Sequence, residues 1–156
     1  MLTNKLTERT IGGLHESLIV YLPKLNKDAS ILDIGCGTGA WLNRLADMGY
    51  DNLYGIYADI QQIKIDRFQY RQANLDFDDL GLEDQKFDLI TSIEVIEHLE
   101  NPGRLFYHVS NYLSDNGVFL LTTPNIHSLD CRLKYLLTGK LKSFDEKGDC
   151  THVYPV

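Results

Sequence analysis

The sequence predicts an α/β chain in which a doubly wound, mostly parallel sheet is covered by helices on both faces. Short apolar runs alternate with segments of helical periodicity, a glycine-rich turn follows the first apolar run, and polar residues stand just beyond several of the runs. Parallel strands joined through helices require right-handed crossovers and place ligands at the carboxyl ends of the strands, near the point where strand order reverses.

A covering helix is predicted over 11–25, where Ile11, Leu14, Leu18, Tyr21, Leu22 and Leu25 recur on one face and Pro23 closes the regular part. Ser30-Ile31-Leu32-Asp33-Ile34 is a short apolar run ending at Gly35, the pattern of a buried parallel strand entering a tight turn. Residues 40–48 form the next helix, with Trp41, Leu42, Leu45 and Met48 on its inner side and Gly49 as its stop. Further strands follow at 52–57, 68–73, 87–92 and 118–122. Between the last two, Asn101 caps and Pro102 starts a helix whose inner face is Leu105, Phe106, Val109 and Leu113, and Ser114-Asp115-Asn116-Gly117 turns the chain into the fifth strand. A last amphipathic stretch carries Ile126, Leu129, Leu133, Leu136 and Leu137 to a Gly139 stop.

The 156 residues are 44% hydrophobic and 24% charged, enough for one domain with its own core. A formal charge of -7 argues against nucleic acid as the partner and favours small or cationic ligands. Cys36, Cys131 and Cys150 are far apart, which suggests neither a disulfide framework nor a cysteine zinc site. The N-terminus lacks the apolar core of a signal peptide and no apolar run approaches the roughly 18 residues of a membrane span, so a cytoplasmic setting is expected.

Asp33-Ile34-Gly35-Cys36-Gly37-Thr38-Gly39 lets a ligand approach backbone N–H groups at a helix N-terminus. Gly35, Gly37 and Ala40 also satisfy the loose dinucleotide spacing, so glycines alone do not name the cofactor. Charge discriminates better. Asp33 at the mouth of the turn would repel a pyrophosphate and attract an ammonium or sulfonium, and Lys27 is the only basic residue between Leu25 and Arg44.

Ile31-Leu32-Asp33-Ile34-Gly35-Cys36-Gly37-Thr38-Gly39 resembles the first motif of class I S-adenosylmethionine-dependent methyltransferases. Phe87-Asp88-Leu89-Ile90 with Glu94-Val95-Ile96-Glu97-His98-Leu99 resembles their fourth-strand motif, and Thr122-Thr123-Pro124-Asn125 resembles a subgroup with MetW-like, type 11 and type 23 methyltransferase domains. The resemblance implies a Rossmann-like core, S-adenosylmethionine as cofactor, and methyl transfer to an oxygen or nitrogen of a small-molecule or glycan-type acceptor. The alternatives are a non-catalytic, MetW-like accessory domain acting with a partner and, behind it, an NAD-type oxidoreductase, for which no Tyr-x-x-x-Lys pair is evident. Carried over by position, it places Gly35, Cys36, Gly37 and Gly39 against the methionine part of the cofactor and Asp33 towards its ammonium. Asn74 stands where the family has an acid that accepts from the adenine amino group, a role its carbonyl can fill. Leu75 would lend its backbone N–H to the ring, and Ser92 and Ile93 would flank the cofactor. Where the family has a ribose-binding acid this chain has Tyr57, and Asp59, about 20 residues beyond the glycine turn, is the nearest replacement.

Glu94, Glu97 and His98 follow the fourth strand on the acceptor side. If they begin a helical turn, Glu94 and Glu97 share a face and can hold a divalent metal with His98. Similar segments in ubiquinone-biosynthesis O-methyltransferases and small-RNA 2′-O-methyltransferases are associated with such a metal, and His152 resembles a further ligand of the RNA enzymes. Without a metal, Glu94 and His98 shape the acceptor pocket or His98 acts as general base. His127 is a second candidate at the acceptor mouth, whereas His15 and His108 sit within predicted helices as structural residues.

The chain divides into an N-terminal covering segment (1–29), a cofactor-binding core (30–125) and a helix with part of the acceptor side (126–156), all within one domain. Relatives of this kind complete the sheet with two strands after the fifth, and nothing after Pro124 reads as two strands. Val118-Phe119-Leu120-Leu121 is therefore expected at or near a sheet edge, covered by the last helix or by a partner such as a second copy, or else the chain is truncated at its C-terminus.

Overall fold

The computed structural model describes Leu6 and residues 10–58 and 66–141. Strands β1 (Ile31–Ile34), β2 (Leu53–Tyr57), β3 (Gln69–Gln72), β4 (Phe87–Ile93) and β5 (Leu113–Thr122) form one sheet in the order β3-β2-β1-β4-β5. Every neighbouring pair is parallel. Helices α1 (Leu14–Leu18), α2 (Ala40–Asp47), α3 (Pro102–Tyr112) and α4 (Leu129–Thr138) complete the elements. The architecture is Rossmann-like, and strand order reverses between β1 and β4, which puts the ligand crevice at the carboxyl ends of those two strands.

All four residues of β1 are buried, because the strand is covered on both faces. The period of two sends Leu32 and Ile34 into a cluster with Ile56, Phe87, Leu105 and Val109, under α3. Ile31 enters the opposite cluster with Trp41, Leu42, Leu45 and Leu53, under α2. Asp33 shares the face of Ile31 and so sits on the α2 side, at the end of the strand.

The cap of α3 forms as its sequence predicts: Pro102 opens the helix and Asn101 Oδ1 accepts a hydrogen bond from the Gly103 N–H at 3.1 Å. Asn101→Ala is expected to cost about 1 kcal/mol, read as a lower urea midpoint at unchanged slope. The inner face of α3 differs from the expected one: His108 is buried where Phe106 was expected, Phe106 is half exposed, and Leu113 lies beyond the helix as the first residue of β5.

Three elements depart from the sequence reading. The first helix has only five residues, continued by a 3-10 turn at Ile19–Tyr21, because Gly13 enters with φ 83 and Leu22, preceding proline, is forced to extended backbone. β5 begins at Leu113 instead of Val118: Leu113 pairs with Phe87 and Val118 with Leu89, and residues 114–117 bulge out between them. The last helix forms and stops at Gly139, φ 67, but Leu129, Leu133, Leu136 and Leu137 are all exposed and Cys131 is its buried residue. Periodicity specifies a helix and an apolar face, not what that face meets. β5 lies outermost, with Val118 exposed and Phe119, Leu120 and Leu121 partly buried, as expected of an edge. Among the described residues no helix is long and apolar enough to cross a membrane.

Candidate functional site

Beyond β1 the backbone enters the left-handed region at Gly35 (φ 85), Gly37 (φ 53) and Gly39 (φ 82), which side chains resist and glycine does not. The N–H groups of Gly35 and Cys36 both donate to the Ile56 carbonyl, at 2.8 and 2.9 Å, and the Gly39 N–H donates to the Cys36 carbonyl at 2.8 Å. The turn is thereby tied to β2 and delivered into α2. A Cβ at Gly35 would overlap Val95 and one at Gly39 the ring of Phe68, whereas one at Gly37 would meet nothing within 4 Å. Gly35 and Gly39 serve close packing, and Gly37 borders open space.

That space is a cavity of about 500 Å³ walled by Asp33, Gly35, Cys36 and Gly37 from the turn, Tyr57 from β2, Asn74 and Leu75 after β3, and Ile93, Glu94 and His98 at the end of β4. Asp33 is 3% exposed, and its Oδ1 accepts a hydrogen bond from Thr91 Oγ1 at 2.7 Å. Burial pushes its carboxyl up to about 7, against the opposing pull of the Thr91 hydroxyl, and no described cation compensates it. A buried carboxylate so placed favours a cationic ligand. Burial also pushes the Cys36 thiol far above its usual range, with the Asp33 charge adding to the effect, so Cys36 is a wall residue and not a nucleophile.

The loop after β3 is held from below by α3. Arg104 donates to the carbonyls of Leu75 (3.2 Å) and Asp78 (2.9 Å), His108 Nε2 lies 3.3 Å from the Leu75 carbonyl, and the Asp76 carboxylate accepts from the N–H groups of Glu100 and Asn101. Burial holds His108 below its usual pKa, against the opposing pull of its hydrogen bond to the Leu75 carbonyl. Asn74 Oδ1 accepts from the Asp76 N–H at 3.0 Å, which leaves its second lone pair for a ligand.

Glu94 has φ 54, uncommon for a side-chain-bearing residue, and its N–H donates to both the carbonyl and the hydroxyl of Thr122, at 3.2 and 3.1 Å. This left-handed residue turns the chain off β4. The following 3-10 turn covers only Ile96–His98, so Glu94 and Glu97 do not share a helical face. Glu94 and His98 line the cavity, while Glu97 is fully buried, takes the Thr123 hydroxyl at 3.5 Å and does not belong to the wall.

A family model described as a methyltransferase domain matches residues 7–154. The chain belongs to the methyltransferase domain family. It is 34% identical over 113 residues to a ubiquinone biosynthesis O-methyltransferase of Pasteurella multocida, covering 61% of this chain and 46% of that protein. The chain thus spans about half the length of the curated relatives it matches. Among solved structures, a putative methyltransferase from an antibiotic biosynthesis pathway of Anabaena variabilis is 27% identical with a TM-score of 0.62, over 71% of this chain and 45% of that one. A methyltransferase from Archaeoglobus fulgidus shares the fold over 91% of this chain and 61% of its own, with a TM-score of 0.65 and 24% identity.

Of the residues read from sequence, this methyltransferase domain brings Asp33, Gly35, Cys36, Gly37, Tyr57, Asn74, Leu75, Ile93, Glu94 and His98 to one cavity. Gly39 and Ser92 are buried but do not line it. His127 is exposed outside the wall, its N–H bonded to Asn125 Oδ1 at 2.9 Å in a local turn, so the expectation that it stands at the acceptor mouth is not met. The expected metal site is also corrected: among the described residues no group of three His, Cys, Asp or Glu side chains could hold a metal ion, because Glu97 turns into the core. Asp59 and His152 lie outside the described residues. Sequence reading missed Thr10, His15, Trp41, Ala58, Ala73 and Asp76 in the wall, where no local motif marks them, and did not assign Val95 and Leu99 of the fourth-strand motif to it.

Proposed function

We propose that this methyltransferase domain binds S-adenosylmethionine in the cavity between β1 and β4 and promotes methyl transfer to an oxygen or nitrogen of a small-molecule or glycan-type acceptor. The observation that carries the reading is the buried Asp33 carboxyl beside the open space at Gly37, a cradle with an acid that a cationic ligand would draw into its charged form and with no described compensating cation. The cofactor when bound supplies an electrophilic methyl group on a positively charged sulfonium. Asp33 holds the ammonium end, Asn74 and Leu75 meet the adenine edge, and Tyr57 stands beside the ribose. Glu94 and His98, across the cavity, orient the acceptor, and His98 takes the proton that its hydroxyl or amine releases. The likeness to a ubiquinone biosynthesis O-methyltransferase supports an oxygen acceptor.

A dinucleotide would bring a pyrophosphate against Asp33, and the described wall contains no Lys or Arg to neutralise it. Calorimetric titration separates the two ligands: S-adenosylhomocysteine is expected to bind at one molecule per chain and NAD to give no heat. Binding of NAD with no response to S-adenosylhomocysteine would overturn the reading.

A further inference from the structure

We infer that Trp41 and His15 form the subsite for the carboxylate at the amino-acid end of the cofactor, a proposal that rests on the S-adenosylmethionine reading above. An α-amino acid carries an ammonium and a carboxylate side by side, so the Asp33 site that attracts the first repels the second. The carboxylate therefore needs hydrogen-bond donors close to Asp33 but not on it. The cavity wall offers no described Lys or Arg for this purpose.

Trp41 lies in the first turn of α2, directly after the glycine turn, in the core cluster on the same face of the sheet as Asp33. It is 2% exposed, it lines the cavity, and its indole Nε1–H has no acceptor among the described residues. Such an unmet buried donor is rare in a native fold and calls for a partner that the protein alone does not supply. His15, from α1, is likewise buried and lines the cavity, its ring centroid 5.3 Å from that of Trp41 at an interplanar angle of 58°. The imidazole thus stands beside the indole as a second donor. The N-terminus of α2 adds a favourable field for an anion at this spot. One zwitterion then spans the cavity floor, with its ammonium on Asp33 and its carboxylate on Trp41 and His15, and α1 becomes part of the cofactor site.

The chain contains a single tryptophan, so its emission reports this subsite directly. S-Adenosylhomocysteine is expected to shift the Trp41 emission, and 5′-methylthioadenosine, which lacks the amino-acid part, to leave it nearly unchanged. By calorimetry, Trp41→Phe, which keeps an aromatic ring and removes the N–H, should weaken S-adenosylhomocysteine about tenfold, as expected for a hydrogen bond to a charged group. Affinity for the decarboxylated analogue and for 5′-methylthioadenosine should stay within about twofold. His15→Leu, which removes the ring N–H groups, provides a second variant with the same expected selectivity. Equal weakening of all three ligands, or no weakening of any, overturns the carboxylate subsite while leaving the cofactor reading intact. Failure of the wild-type chain to bind S-adenosylhomocysteine overturns both.

Discussion

Asp33→Asn is expected to weaken S-adenosylhomocysteine at pH 8 by about 30-fold or more, the cost of removing one partner from a buried charge pair. The same change should raise the melting temperature of the ligand-free protein at that pH. The two effects have one origin. Burial raises the Asp33 carboxyl from 3.8 to about 7 in the folded chain, so folding favours its protonated form. The resulting stability is fully present below the unfolded value of 3.8 and is lost as pH rises towards the folded value of about 7. Above that pH the ligand-free fold carries a buried charge that no described cation compensates. The neutral amide of the variant removes that charge and can still accept from the Thr91 hydroxyl. The melting-temperature difference between variant and wild type should therefore be small at pH 4 and grow to at least about 3 °C in favour of the variant by pH 8. Scanning calorimetry of both proteins at the two pH values measures it. A difference that shrinks or changes sign with rising pH would contradict the placement of Asp33 in an apolar, unpaired site.

Gly39→Ala should destabilise the fold by about 2 to 4 kcal/mol, through a clash in the core and a strained backbone. At φ 82 an alanine is disfavoured, and its Cβ would overlap the edge of the ring of Phe68, a buried member of the α2-side core. For a chain of this size the loss corresponds to a melting temperature about 5 to 15 °C lower. Phe68→Leu supplies the control: if ring overlap is the cause, this second change should cost less in the Gly39→Ala background than in wild type. Additive losses in the double-mutant cycle would show that the strain lies in the backbone alone.

The cofactor half of the site was legible because its signals are local. β1 is buried on both faces, so it reads as an apolar run, and the one acid inside that run stands out as the residue that burial must perturb. The glycines that follow are demanded by left-handed backbone at each position, a requirement visible in composition. The acceptor half was less legible. The Glu94 and Glu97 spacing suggested a shared helical face, but the left-handed backbone at Glu94 and a turn of only three residues send one side chain to the cavity and the other into the core. Trp41 read correctly as core, yet its pairing with His15 joins two elements that no sequence motif connects. The apolar positions of α1 and α4 show the same limit: periodicity continued across Pro23 in one, and named a face with no described covering in the other.

The most direct test is a crystal structure of this chain grown with saturating S-adenosylhomocysteine. One molecule should occupy the cavity at the carboxyl ends of β1 and β4, its amino group on Asp33 directly or through one water and its adenine beside Leu75. A cavity left empty at saturation, or a ligand bound elsewhere on the chain, would contradict the assignment of this crevice to the cofactor.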